Sequence, residues 1–278
     1  INLGAFISTM LTPLLLKYYG SHVAFGIPGI LMLIATILFW MGRHVFVHIP
    51  PGGLKFVKEV LSKEGLTAIG KLCLIYIFIA PFWSLFDQTG STWVIQAQNL
   101  DRYWLGVEWL PSQIQAINPI MILIFAPSFT YFLYPKINQY FELTPLKKIN
   151  IGLFLTVPSF LIIGYLQTQI DLGHTPSIAW QILAYAILTA AEVLISITCL
   201  EFSYTQAPNT MKSLIMGFFM LSIAIGNTFT IGVNSFITNI DDGASFFFFF
   251  AKIMLLTAIL FIFVVRFFKT KAYLHKEH

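Results

Sequence analysis

Charge is scarce in this sequence. Its 278 residues include 16 Lys and Arg and 12 Asp and Glu, 10% in all, where soluble domains carry roughly 25%. With 57% of residues apolar and a mean hydropathy of +0.79, too little polar surface exists to cover a water-soluble globule. That excludes a soluble enzyme, a nucleic-acid-binding domain and a disordered chain. Cysteine is scarcer still. Cys73 and Cys199 both fall in apolar runs without CxxC spacing, and read as inert packing residues rather than a disulfide or metal pair. The six histidines (His22, His44, His48, His174, His275, His278) lie at the ends of apolar runs or between them, which argues against paired haem ligation. No HExxH, GxSxG or phosphate-loop string occurs. Nothing calls for a cofactor or reads as an enzyme.

What is present is long apolar runs. Eight are expected to span a bilayer, near residues 1–16, 22–42, 71–97, 113–135, 147–168, 177–205, 213–238 and 245–268. The reading is an all-α polytopic membrane protein. Basic residues then orient it. The connections after the second, fourth and sixth spans and the tail after the eighth carry Arg43, Lys55, Lys58, Lys63, Lys71, Lys136, Lys147, Lys148, Lys212, Arg266, Lys269, Lys271 and Lys276. The opposite loops carry only Lys17 and Arg102, beside Asp101, Glu108, Asp171, Asp241 and Asp242. By the positive-inside rule both ends of the chain are expected to be cytoplasmic. The +4 net charge is thereby read as topology and not as attraction to nucleic acid.

The connection over 43–70 differs from the others. His48-Ile-Pro-Pro-Gly-Gly53 breaks it, and an amphipathic run follows, Leu54, Phe56, Val57, Val60 and Leu61 against Lys55, Lys58 and Glu59. Such a segment is expected to lie at the cytoplasmic interface. The division is therefore two spans (1–42), a linker (43–70) and a six-helix bundle (71–278), which suits one half of a twelve-span carrier with the end of the other. Ile1 already stands in an apolar run, so the chain is expected to lack the first four spans.

Three acids remain within the spans: Asp87, Glu192 and Glu201. Each costs about 2.5–3.5 kcal/mol at a helix centre and needs a partner, a cavity or a proton. Glu192 lies midway along its span with no basic residue within a turn, so its counter-charge comes from elsewhere, either a ligand amine or a bound proton. A structural hydrogen bond to another helix is the plainer alternative. Ser196 lies one turn below it on the same expected face. Glu201, nine residues on, turns away and lies about 13 Å lower, where Lys212 or Lys71 is expected to pair with it as a gate or structural bridge. Asp87 shares a face with Trp83, between Pro81 and Gly90 as kink points. Lys71, about 24 Å earlier on that helix, cannot reach Asp87. Asn118-Pro119 opens the next span behind Ser112-Gln-Ile-Gln115.

The strings FWSLFDQTGSTW (82–93), NPIMILIFAP (118–127), TPLKK (144–148) and above all TAAEVLISITCLEFSYTQAP (189–208), followed by MKS and GN, resemble the proton-dependent oligopeptide transporter family of the major facilitator superfamily. INLGAF and HVAFGIPG (22–29) fit that family's fifth and sixth spans. The resemblance covers essentially the whole chain. It implies the major facilitator superfamily fold, eight transmembrane helices of a twelve-helix carrier, and proton-coupled symport of di- and tripeptides across the cell membrane by alternating access. The proton is the coupling ion, and the carrier is expected to be monomeric in the lipid bilayer. Carried onto this sequence, Glu192 would hold the peptide's amino terminus, Asn2 and Asn118 its backbone, and Trp83 a side-chain pocket. Asp87 would belong to a proton-linked gate, with Lys71 at the family's basic position. Where the family usually has Trp, seven residues after Lys212, this chain has Phe219, which keeps an aromatic wall without an indole donor. The family's ExxER-type motif and its cations for the peptide carboxylate would lie upstream. Other readings are a family member carrying nitrate, an amino acid or a conjugate, and a non-transporting membrane subunit.

Overall fold

The computed structural model describes residues 1–47, 52–236 and 243–268. The break at His48–Pro51, the acids Asp241 and Asp242, the histidines His275 and His278, and Lys269, Lys271 and Lys276 lie outside the described residues. The chain opens with α1 (Asn2–Tyr19) and α2 (Ser21–Met41), and α3 (Gly53–Val60) is the amphipathic run expected after the break. Next come α4 (Lys63–Phe86), a 3-10 turn over Asp87–Gly90, and α5 (Thr92–Ala97). A small antiparallel hairpin, β1 (Tyr103–Trp104) with β2 (Val107–Glu108), is clamped by the Arg102–Glu108 ion pair at 2.9 Å. A 3-10 turn over Pro111–Ala116 feeds α6 (Ile117–Ser128), a π turn over Phe129–Leu133 and α7 (Tyr134–Asn138). Then follow α8 (Pro145–Asp171), α9 (Ala179–Glu192), a π turn over Val193–Ile197, α10 (Thr198–Gln206), α11 (Lys212–Phe236) and α12 (Ala244–Phe267).

Among the described residues seven stretches are long and apolar enough to cross a bilayer: Ser21–His44, Lys63–Ala97, Pro111–Asn138, Pro145–Asp171, Ala179–Gln206, Lys212–Val233 and Ala244–Phe267. They match seven of the eight expected spans. The eighth, at 1–16, forms α1 but is not in that set, because Asn2, Ser8, Thr9, Thr12 and Lys17 dilute its apolar residues. A second difference concerns the linker. The helix expected from residue 71 starts at Lys63, so the last eight residues expected in the linker belong to α4. The cause is local: the Ser62 hydroxyl accepts from the Gly65 N–H at 3.0 Å, and Glu64 sits in the first turn, a capped start with an acid at the positive end of the helix.

Helix α8 packs against both α9 and α12, α4 against α11 and α12, and α6 against α9 and α1. In lipid the association of such helices rests on close backbone approach, interhelical hydrogen bonds and packing rather than on a hydrophobic driving force. Close approach is visible at two glycines. A Cβ on Gly152 would stand 2.6 Å from Ile195 Cγ1 and 3.0 Å from the Ala191 carbonyl. One on Gly226 would meet the Ala80 carbonyl oxygen, with the Ser84 nitrogen at 2.9 Å. Cross-helix hydrogen bonds supply specificity: Tyr76 Oη donates to Ser203 Oγ at 2.7 Å, Ser159 Oγ to the Ala184 carbonyl at 2.8 Å, and Ser84 and Thr230 pair at 2.6 Å. The five-phenylalanine run is packing bulk. Phe246, Phe247 and Phe250 are buried, and Phe248 fills the space beside Gly164. Cys73 and Cys199 are both free thiols, and Cys199 is fully buried.

Candidate functional site

The two acids singled out most sharply sit at helix ends created by irregular backbone. Helix α4 contains Pro81, whose missing N–H weakens the turn it occupies, and the helix gives way to a 3-10 turn that begins six residues after it. Asp87 is the hinge residue, ending α4 and opening the turn. Glu192 is the last residue of α9, directly before the π turn over Val193–Ile197. Asn118 stands in the first turn of α6, where the preceding 3-10 turn aims it across at α9.

Each acid accepts a hydrogen bond from an amide on another helix. Asn118 Nδ2 donates to Glu192 Oε2 at 2.7 Å and also lies 3.1 Å from Thr189 Oγ1. Asn227 Nδ2, on α11, donates to Asp87 Oδ2 at 2.6 Å. A cavity of about 290 Å³ is lined by Asn2 and Thr9 of α1, Asp87, Thr89, Gln115, Asn118 and Tyr185 among others; Glu192 is joined to it through Asn118 and does not line it. Tyr185 Oη donates to the Thr89 carbonyl at 3.0 Å, tying the 3-10 turn beside Asp87 to α9. Polar lining from five separate elements around a small cavity is the form of a binding site for a small polar solute. An acid at membrane depth that faces such a cavity, as Asp87 does, is a functional candidate, and so is Glu192 through its bond to Asn118.

Sequence reasoning put Asn2, Asn118 and Glu192 in a peptide site and Asp87 in a gate; in the fold Asn2, Asn118 and Asp87 line one cavity, and Glu192 is bonded to Asn118. It does not place the aromatics as expected. Trp83 is 8% and Phe219 5% exposed. Their rings pack edge to face at 6.1 Å, Phe219 also against Tyr76 and Trp83 also against Phe82 and Phe86, and neither lines this cavity. Phe86 lines the cavity instead, and Trp83 packs against it from the side away from the lining. Trp83 Nε1 is buried without a hydrogen-bond partner among the described residues. Ser196 falls inside the π turn, whose wider pitch offsets it from the turn below Glu192, and no hydrogen bond joins the two. Glu201 makes no ion pair with Lys212 or Lys71 among the described residues. It is exposed, and the ammonium of Lys212 lies over the Tyr204 ring at 5.8 Å. Lys71 lines a separate cavity near the start of α4, remote from Asp87.

Asn227, Thr189, Gln115 and Tyr185 were not anticipated. The signal for Asn227 was the polar GN pair inside an apolar run. Lys252 was also missed: it stands exposed, eight residues into α12, where its stem can lie along apolar surface while the ammonium reaches toward the interface.

Long apolar helices around a small polar cavity, with two amide-held acids, define a membrane-embedded helical protein. The chain belongs to the POT family, which residues 1–64 and 54–249 match. Peptide transporter 3 of Caenorhabditis elegans is 34% identical over 215 residues, 62% of this chain and 30% of that protein. A crystal structure of an auto-inhibited POT family peptide transporter superposes with a TM-score of 0.85 at 28% identity, covering 100% of this chain and 70% of its own. The POT family transporter PepTSo superposes with a TM-score of 0.82 at 32% identity, covering 96% and 69%. The fold is thus that of major facilitator superfamily carriers, and the chain spans less than a third of the length of the curated relative.

Proposed function

We propose that the protein carrying this chain is a proton-coupled symporter of di- and tripeptides, working by alternating access in the cell membrane as a monomer, with both ends of this chain cytoplasmic. One observation carries the proposal: Asn118 and Glu192, from two helices, meet at 2.7 Å beside a cavity that Asn2 and Asp87 also line. An amide next to a carboxylate is complementary to a peptide's amino end, the carboxylate for the ammonium and the amides of Asn118 and Asn2 for the first peptide group. The relatives described above are peptide transporters, which supports this substrate class.

Proton coupling follows from the acids. Glu192 takes a proton or the ligand ammonium in turn, and its bond to Asn118 links it to the cavity that Asp87 lines. Asp87 then acts with Asn227 as the gate between α4 and α11. Trp83 and Phe219 stiffen the wall behind Phe86, Ser196 adapts the π turn below Glu192, and Glu201 and Lys71 act toward the opposite end of the bundle. No cofactor beyond the proton is proposed. In this scheme 1–42 closes the cavity from the other bundle, 43–70 connects, and 71–278 forms the carboxyl-terminal bundle.

Ligand-induced stabilisation tests the solute class. Dialanine at 100 times its dissociation constant adds about 2.7 kcal/mol, so the melting midpoint of the purified protein rises by several degrees, and nitrate or free alanine leaves it unchanged. A shift with nitrate or alanine and none with dialanine would move the assignment to another solute. No shift with any of them would point to a subunit that binds no solute.

A further inference from the structure

The polar approach to α6, Ser112-Gln-Ile-Gln115, enters the central cavity through Gln115. Gln113 is left unused by the transport scheme, yet it is only 6% exposed and its amide is engaged at both ends. The Leu110 N–H donates to Gln113 Oε1 at 3.0 Å, and the Gln113 N–H donates to the Leu110 carbonyl at 2.9 Å. This reciprocal cap holds the side chain against the start of its own 3-10 turn. Gln113 Nε2 then donates to the Met10 carbonyl of α1 at 3.1 Å. The acceptor lies in a turn that Pro13 loosens. The proline ring offers no N–H to the Thr9 carbonyl and crowds it, one residue before Met10.

What such a bond can set is the rotation of α1. Asn2, Ala5 and Thr9 share one face of the helix and line the cavity. A slip of one residue turns that face by about 100° and shifts it by about 1.5 Å, which carries Asn2 and Thr9 away from Asn118. The other faces carry Leu3, Ile7, Leu11 and Leu14, which pack on lipid or on helices alike and select no rotation. The packing of α1 against the 3-10 turn and α6 therefore tolerates rotation, and a directional bond does not. That bond joins the neighbour of Thr9 to the chain two residues before Gln115, and both of these line the same cavity.

We propose that Gln113 is a positioning residue for the substrate, fixing the rotation of α1 so that Asn2 and Thr9 face the cavity with Asn118 and Asp87. Gln113 does not itself line the cavity. The inference rests on the reading of that cavity as the peptide site, and it acts on affinity rather than on the speed of the gate.

The test uses the protein carrying this chain and two variants. Gln113→Met keeps the length of the side chain and removes both amide groups. Gln113→Glu keeps the acceptor for the Leu110 N–H and, when ionised, loses only the donor. In dialanine uptake, KM should rise about fivefold, the factor that about 1 kcal/mol of one hydrogen bond makes in an equilibrium constant. The maximal rate per folded carrier should be kept. Measured against wild type at each pH, the Gln113→Glu effect should shrink on acidification, because the protonated carboxyl again donates to Met10.

A second readout needs no substrate. Ala5→Cys, on the cavity face, and Ile7→Cys, about 200° round α1, are labelled with a small charged methanethiosulfonate in a cysteine-free background. Ala5→Cys should react faster, and Gln113→Met should narrow the ratio of the two rates about fivefold. An unchanged labelling ratio overturns the proposal, and a lowered melting midpoint beside it makes Gln113 a packing residue only. A changed ratio with an unchanged KM overturns it too, since the rotation of α1 then does not matter to the solute. A KM effect that Gln113→Glu lacks at every pH belongs to the local cap, with the same consequence. If the wild type takes up no dialanine, the peptide reading falls, and the labelling ratio still decides whether Gln113 sets the rotation of α1.

Discussion

Glu192→Gln is expected to weaken dialanine binding by about two orders of magnitude or more. The substitution keeps the size of the side chain, and its amide oxygen still accepts from Asn118, so the α6–α9 contact persists. What is lost is the anion facing the peptide ammonium. Removing one partner of a buried charge pair costs about 3–5 kcal/mol, and each 1.4 kcal/mol is a factor of about ten in affinity. Asn118→Ala removes a neutral donor and is expected to act less strongly. Titration of dialanine against the purified wild-type and variant proteins measures this. A dissociation constant for Glu192→Gln within threefold of wild type would remove Glu192 from the site.

The second large effect concerns packing that holds the gate together. A Cβ at Gly226 would collide with the Ala80 carbonyl and the Ser84 nitrogen, and neither can move without α4 moving. Gly226→Val must push α11 off α4, breaking the Ser84–Thr230 and Asn227–Asp87 bonds that lie beside it. Overpacking of this kind costs about 1–3 kcal/mol, occasionally more, so the melting midpoint should fall by roughly 5–10 °C. Gly232→Ala, at a position on the same helix with open space around it, should leave the midpoint within about 2 °C. Asn227→Ala removes the amide and keeps the packing, so it separates loss of the gate bond from loss of the interface. Equal midpoints for Gly226→Val and wild type would mean that α4 and α11 do not touch as described.

Hydropathy made the spans legible because each is a local run whose length alone matches a bilayer. The start of α4 was less so, since Lys63, Glu64 and Lys71 look like linker charge until the Ser62 cap is seen. Asp87 and Glu192 stood out because charge is rare at those depths, and Asn118 because its approach is polar. Asn227 did not, since its partner Asp87 lies 140 residues away and no local pattern pairs them. Ser196 falls inside a π turn that counting in regular turns does not foresee, and the ion pair expected of Glu201 is not found among the described residues. Trp83 and Phe219 shared the right face. Whether an aromatic on that face touches the cavity or the layer behind it depends on Phe86, a neighbour whose role only the packed structure reveals.

The most direct measurement is accumulation of labelled dialanine by proteoliposomes containing the protein, with an inward proton gradient imposed. The account predicts accumulation above the external concentration, its collapse on adding a protonophore, and its loss in Glu192→Gln. Uptake that only equilibrates, or accumulation that persists without the gradient, would contradict it.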